Sequence, residues 1–109
     1  MACNNNDSVI GRGTTPTLTF DFAFDASTVA EAGLNVEQTS SNTVIERNLD
    51  TATAYEKSLE WTLTQEETLR LSETGIVHVQ VRWRLQDGTA GETPIYSVPP
   101  YGILREGVI

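Results

Sequence analysis

The side chains that could do chemistry are few, and they lie far apart. His78 is the only histidine and Cys3 the only cysteine, with most of the chain between them. One imidazole and one thiolate so far apart are too few soft ligands for a transition-metal site. The chain has no Asp-rich calcium loop, P-loop or dinucleotide fingerprint, and Gly11-Arg12-Gly13 is too short to count as one. A Ser-His-Asp relay would have to run through His78, and no nucleophile elbow accompanies it. His78 falls on the polar side of an alternating segment, where a solvated imidazole is expected. Glu66 and Glu67 are adjacent carboxylates of the kind acid–base catalysis uses. Thr64-Gln-Glu-Glu67 is also a capping box, in which the Thr64 hydroxyl accepts from the Glu67 amide and the Glu67 carboxylate accepts from the Thr64 amide. Capping accounts for the pair better. No enzyme activity is therefore expected, and no catalytic residue, metal, cofactor or small-molecule substrate.

What remains is contact chemistry. Trp61 and Trp83 are the residues a carbohydrate site would need, but both sit on apolar strand faces, where a core role is expected. Tyr96 and Tyr101, beside the Pro99-Pro100 break, are better placed to touch a partner. Arg82 and Arg84 form a small basic pair in an acidic chain. They can pair across strands with a carboxylate such as Glu60, or dock on an acidic neighbour. Near the start, Asn4, Asn5, Asn6, Asp7 and Ser8 are loop formers and Gly11 and Gly13 flank Arg12. Only Val9 and Ile10 could anchor residues 1–13, which read either as a frayed terminus or as an arm that orders on a neighbouring subunit. Val9, Ile10, Arg12, Arg82, Arg84, Tyr96 and Tyr101 are the candidate partner-binding residues.

The elements that must carry these residues are mostly strands. Over residues 15–24, Leu18, Phe20, Phe22 and Phe24 alternate with Thr17, Thr19, Asp21 and Ala23, the period of a strand with one face buried. A turn at Asp25-Ala-Ser-Thr28 leads to a short helical turn expected over 28–32. Gly33 then opens a weaker strand with Leu34, Val36 and Gln38 on one face. Thr39-Ser-Ser-Asn42 is a hairpin loop, followed by a strand over 43–49 with Ile45 and Leu49 inward. Leu59, Trp61 and Leu63 alternate with Glu60 and Thr62. One helix is expected over 65–72, with Leu69 inward. The longest strand is expected over 75–86, where Val77, Val79, Val81, Trp83 and Leu85 face one way and Ile76, His78, Gln80, Arg82 and Arg84 the other. Asp87-Gly88 is a strong hairpin signal, because both central positions tolerate positive φ. A return strand over 92–98 ends at Pro99-Pro100, and a last strand or extended tail follows. About seven one-sided strands are most economically buried as two sheets packed face to face. The expectation is an all-β, immunoglobulin-like antiparallel sandwich over residues 14–109 with one short helix, preceded by the arm 1–13.

Composition limits the partners. The 109 residues are 39% hydrophobic and 20% charged, which suits one folded domain with a single core. Fifteen acidic residues against seven Lys and Arg leave a net charge of −8, which argues against nucleic acid and against an anionic membrane surface. No apolar run approaches the length of a membrane span. The first residues lack a basic stretch followed by an apolar one, so no signal peptide is expected, and the Asn6-Asp7-Ser8 sequon has no secretory route to use it.

Four segments, in order, resemble small prophage-encoded proteins of Gram-positive and gut bacteria. They are Arg12-Gly-Thr-Thr-Pro-Thr-Leu-Thr-Phe20, Leu63-Thr-Gln-Glu-Glu-Thr-Leu69, Val77-His-Val-Gln-Val-Arg82 with Asp87-Gly88, and Ile103-Leu-Arg-Glu-Gly-Val-Ile109. The layout is also similar to the immunoglobulin-like N-terminal domain of siphophage upper baseplate proteins, which fixes a receptor-binding organelle to the virion. There the chain continues into a stem or fibre, so a stand-alone head, neck or tail component is the other form the resemblance allows. It implies a virion structural protein, made in the bacterial cytoplasm, whose partners are other virion proteins and copies of itself. A glycan-binding module that touches the host surface is the alternative.

Overall fold

The computed structural model describes residues 10–101, with Tyr101 described by its backbone alone. Ten strands and one α-helix follow in chain order: β1 (Ile10–Gly11), β2 (Thr17–Asp21), β3 (Val29–Gln38), β4 (Thr43–Asn48), β5 (Thr53–Ala54), β6 (Ser58–Thr62), α1 (Gln65–Leu69), β7 (Val77–Leu85), β8 (Ala90–Glu92), β9 (Tyr96–Val98) and β10 (Pro100–Tyr101). One sheet has the order β5-β6-β2. The other has the order β4-β3-β7-β8, with β9 also on β7. These pairings are all antiparallel. The two orders match strands D-E-B and C′-C-F-G of the immunoglobulin-like sandwich. The fold is therefore an all-β sandwich of that type.

The alternation in the sequence sets the core. Leu18, Phe20 and Phe22 from one layer meet Leu34, Val36, Ile45, Val77, Val79 and Val81 from the other, with Leu59, Trp61 and Leu63 beside them. A single cysteine rules out the disulfide that ties the two sheets together in antibody domains. Aromatic rings span the layers instead. Phe20 lies 6.4 Å from Tyr96 and Phe22 lies 5.4 Å, edge-on, from Trp83. Trp61 is buried, and its indole N–H donates to the Asn48 carbonyl at 2.9 Å, which satisfies the one polar atom of the ring.

Several expectations about the elements need correction. Residues 26–28 form a 3-10 turn, and Val29 already belongs to β3, so no helical turn covers 28–32. The register between β3 and β7 shifts between Val29 and Glu31, and the bulge hides the strand period there. Gly33 lies inside β3 rather than at its start. At ten residues β3 is longer than the nine of β7. The return strand is split into β8 and β9: β7 pairs Arg82 with Glu92 but Val79 with Tyr96, one residue out of step. Thr93-Pro94 occupies the break. Pro94 cannot donate to a ladder, and beside it the buried Thr93 hydroxyl accepts from the Val81 amide. The hairpin at 87–88 closes by a different turn. Leu85 N–H donates to Thr89 O, Gly88 N–H donates to Leu85 O, and only Gly88 has positive φ, at 92°. That is a three-residue loop ending in a left-handed glycine.

The capping box of α1 is present in both directions. The helix ends at Leu69, and Leu71, just beyond it, is the residue that enters the core; Leu69 is half-buried. β1 pairs in parallel with β10, Ile10 opposite Pro100 and Gly11 opposite Tyr101.

Candidate functional site

Two surfaces collect the residues singled out from the sequence. The first is the outward face of the β4-β3-β7-β8 sheet. Successive side chains of a strand point to opposite faces, so burying Val77, Val79 and Val81 turns His78, Gln80, Arg82 and Arg84 to solvent. Register then fixes their neighbours. Arg82 stands between Gly33 and Glu92, and Arg84 between Glu31 and Ala90. Arg84 reaches Glu31 at 3.4 Å, with both side chains at least half exposed. The carboxylate opposite the pair is therefore Glu31 and not Glu60. Glu60 is on β6 in the other sheet, where it accepts from Thr19 at 3.2 Å and Tyr55 at 3.3 Å. Membership of one sheet or the other is decided by long-range pairing, which charge pattern does not reveal. Among the described residues Arg82 has no ion pair.

A shallow groove of about 690 Å³ runs over this face, lined by Glu31, Gly33, Asn35, Asn48, Asp50, Arg82 and Arg84 among others. Gly33 makes room for it: a Cβ there would meet only the Arg47 carbonyl oxygen, at 3.8 Å. The lining mixes two cations, one carboxylate and one amide from β3, and the polar side chains of Asn48 and Asp50 at and just beyond the end of β4. Such a surface can form hydrogen bonds and weak ion pairs, and it offers no enclosed space that excludes water. Glycine inside a strand was the signal that could have located it. The groove residues from β3 and β4 were missed because Gly33 was placed at a strand start.

One row of this face deserves chemical scrutiny. Ser97 Oγ lies 3.4 Å from His78 Nδ1, and Glu37 stands opposite His78 across the β3–β7 pair. A hydroxyl, an imidazole and a carboxylate thus share one line. All three are exposed, the Ser–His contact is long, and among the described residues no hydrogen bond joins Glu37 to the imidazole. Catalysis by such a relay needs the base held and water excluded, and this row meets neither need. Among the described residues no group of three or more His, Cys, Asp or Glu side chains could hold a metal ion.

The second surface is the corner where β1 meets β10. Val9 lies outside the described residues. Ile10 is buried at 1% exposure and belongs to the core. Arg12 turns back onto the end of α1, where Nε donates to the Leu71 carbonyl and Nη2 to the Leu69 carbonyl, the latter at 3.0 Å. Leu69 is the last residue of α1 and Leu71 lies just past it, where carbonyls without partners inside the helix attract a cation. Residues 10–13 of the expected arm are thus part of the sandwich. Tyr96 is half-buried, its ring tilted against Phe20. Tyr101 contributes its backbone to β10. The structure therefore brings Ile10, Tyr96 and Tyr101 to one end of the molecule, and Arg82 and Arg84 to a separate face.

The electrostatics of the molecule are mild. Burial pushes the Glu67 carboxyl up, but hydrogen bonds from Arg47 and from the Thr64 amide outweigh it and hold the pKa below the ordinary carboxylate value. Asp87 is lowered too, chiefly by accepting from the Thr89 amide. Both are structural, one at a helix start and one in a hairpin. No helix among the described residues is long and apolar enough to cross a membrane.

No family model matches the chain, and neither the curated proteins nor the solved structures yield a significant match.

Proposed function

We propose that this chain is a structural protein of a bacteriophage particle, an assembly or adaptor module of the tail, baseplate or head–neck region with no chemistry of its own. Its partners on this reading are other virion proteins and copies of itself, and its place is the virion, after synthesis in the bacterial cytoplasm. The observation that carries most weight is the parallel pairing of Ile10–Gly11 with Pro100–Tyr101. It brings the points where residues 1–9 and 102–109 join the sandwich side by side. Both segments can then engage one neighbour, while the sheet faces remain for others. Many such contacts, each weak, sum to firm attachment when symmetry repeats them. The interior supports a rigid role: every buried side-chain polar atom among the described residues has a hydrogen-bond partner.

The saccharide alternative has less behind it. Trp61 is buried and Trp83 is held among Phe22, Phe24 and Gly91. Tyr55, the one aromatic side chain described as largely exposed, lies beside Glu60, and among the described residues no ring contact joins it to either tryptophan. The test is to purify particles from an induced lysogen that encodes this chain and locate the protein by mass spectrometry and immunogold labelling. Stoichiometric presence at one position in the virion is expected. Its absence from particles, with the protein left in the soluble lysate, would overturn the reading.

A further inference from the structure

Every open sandwich leaves sheet edges, and most of those here are guarded. β4 carries Arg47 on its inward side, bound to Glu67, and an inward charge on an edge strand discourages a second strand from docking. β8 has three residues and runs into Thr93-Pro94; β5 has two. β2 is different. Among the described residues it pairs with β6 alone, its five residues Thr17–Asp21 contain no proline, lysine or arginine, and no bulge interrupts its register with β6.

The phase of the ladder shows which groups β2 offers. Leu63 N–H donates to Pro16 O at 3.0 Å and Phe22 N–H to Lys57 O at 2.8 Å. With the register Thr17 to Thr62 and Asp21 to Ser58, the even-numbered residues turn their amides and carbonyls to β6. The odd-numbered residues Thr17, Thr19 and Asp21 therefore turn theirs away from it, in the alternation of an antiparallel ladder.

The geometry points to β2 as a self-association edge whose occupant is β2 of a second copy, antiparallel about a two-fold axis at Thr19. Thr19 then faces Thr19 of the second copy, and Thr17 faces Asp21. Each of these pairs exchanges both N–H···O bonds. The strand is complementary to itself in three respects: β-branched threonines meet at the centre, no like charges stand directly opposite, and Leu18 comes beside Phe20 on the buried side. An isologous contact of this kind joins the two β5-β6-β2 sheets into one. With −8 on each copy, association strengthens as salt screens the repulsion.

The inference deepens the assembly reading by naming a copy-to-copy contact, yet its test is separate. A dimer in a protein absent from virions sinks that reading and keeps the edge; incorporation by a protein that never pairs does the reverse. The experiment is sedimentation of the full chain from micromolar to millimolar concentration, with amide exchange followed residue by residue. The expected result is a concentration-dependent dimer in which the Thr17, Thr19 and Asp21 amides exchange about tenfold more slowly at the high end, while Leu18 and Phe20 are protected throughout. Thr19→Pro removes an outward N–H at a position where an edge strand tolerates proline; it should stay folded by circular dichroism and lose the dimer. Val44→Lys, on β4, should keep it. A chain that is monomeric throughout, a dimer lost in V44K, or odd-residue protection that is independent of concentration and disappears when residues 102–109 are removed would each overturn the proposal. Because the exchange pattern is read on the unaltered chain, a T19P variant that misfolds does not rescue it.

Discussion

At the scale of single residues, side chains that look available for contact are in part committed to the fold. Arg12 is flanked by glycines in the sequence and reads as a free cation, yet its guanidinium closes the carbonyl end of α1. Charged hydrogen bonds of this kind contribute about 1.5–3 kcal/mol. Arg12→Ala should therefore lower the unfolding free energy read from urea titration by an amount in that range, whereas a residue used only for contact would leave it unchanged. Glu67 makes a second case. Its pKa lies below the ordinary value because Arg47 and the Thr64 amide favour the charged form more than burial disfavours it. The unfolded chain takes up the proton first as pH falls, so the stabilisation is complete above the ordinary carboxylate range and is lost as pH drops through the lower folded pKa. Glu67→Gln keeps a side chain that can complete the capping box but removes the charge. It should cost about 1 kcal/mol near pH 7, with the difference shrinking as pH falls below the ordinary carboxylate range, as read from urea titrations across that span.

At the scale of elements, the sequence shows well whatever repeats with a period and poorly whatever depends on distant pairing. The faces of β2, β6 and β7 and the capping box are local patterns, and the structure has them as expected. The start of β3 is hidden by its bulge at 29–31, and the β8–β9 break by a threonine whose hydroxyl accepts from the Val81 amide. The partner of Arg84 was misread because Glu31 and Glu60 look alike until sheet membership is known. The candidate site was less legible than the fold, since a groove over Gly33 is built from three strands that only register brings together. Gln38 belongs to the same class. It appeared as one of three inward positions of a strand, and it is buried at 1% exposure. Its amide donates to the carbonyls of Ser72 and Gly75 at 2.9 and 3.0 Å, and its oxygen accepts from the Ser72 amide and the Ser41 hydroxyl at 2.7 and 2.6 Å. One side chain thus joins the β3–β4 hairpin to the segment that leads into β7. Gln38→Leu fills the space but strands those groups, each at about 1–3 kcal/mol. A loss of about 3 kcal/mol is expected in urea unfolding, with faster amide exchange at Ser72 as the local sign.

At the scale of the whole molecule, the question is where the sandwich begins. Composition places the boundary after Gly13, because Asn, Asp, Ser and Gly dominate the first residues. Burial places it earlier: Ile10 is 1% exposed within the core, its N–H donates to Pro99 O at 3.1 Å, and with Gly11 it forms the pairing to β10. One apolar residue in a polar stretch is enough to set the boundary, because removing a buried isoleucine side chain costs about 2–5 kcal/mol. Two truncations separate the views. Removal of residues 1–9 leaves Ile10 and the β1–β10 pair in place; removal of residues 1–11 takes both away. The longer truncation should unfold at least about 2 kcal/mol more easily than the shorter, and Ile10→Ala in the full chain should reproduce most of that difference. Equal urea midpoints for the two truncations would return Ile10 to the arm. The comparison also bears on assembly. If residues 1–9 serve a neighbour, the shorter truncation should fold as a stable sandwich and still fail to enter particles.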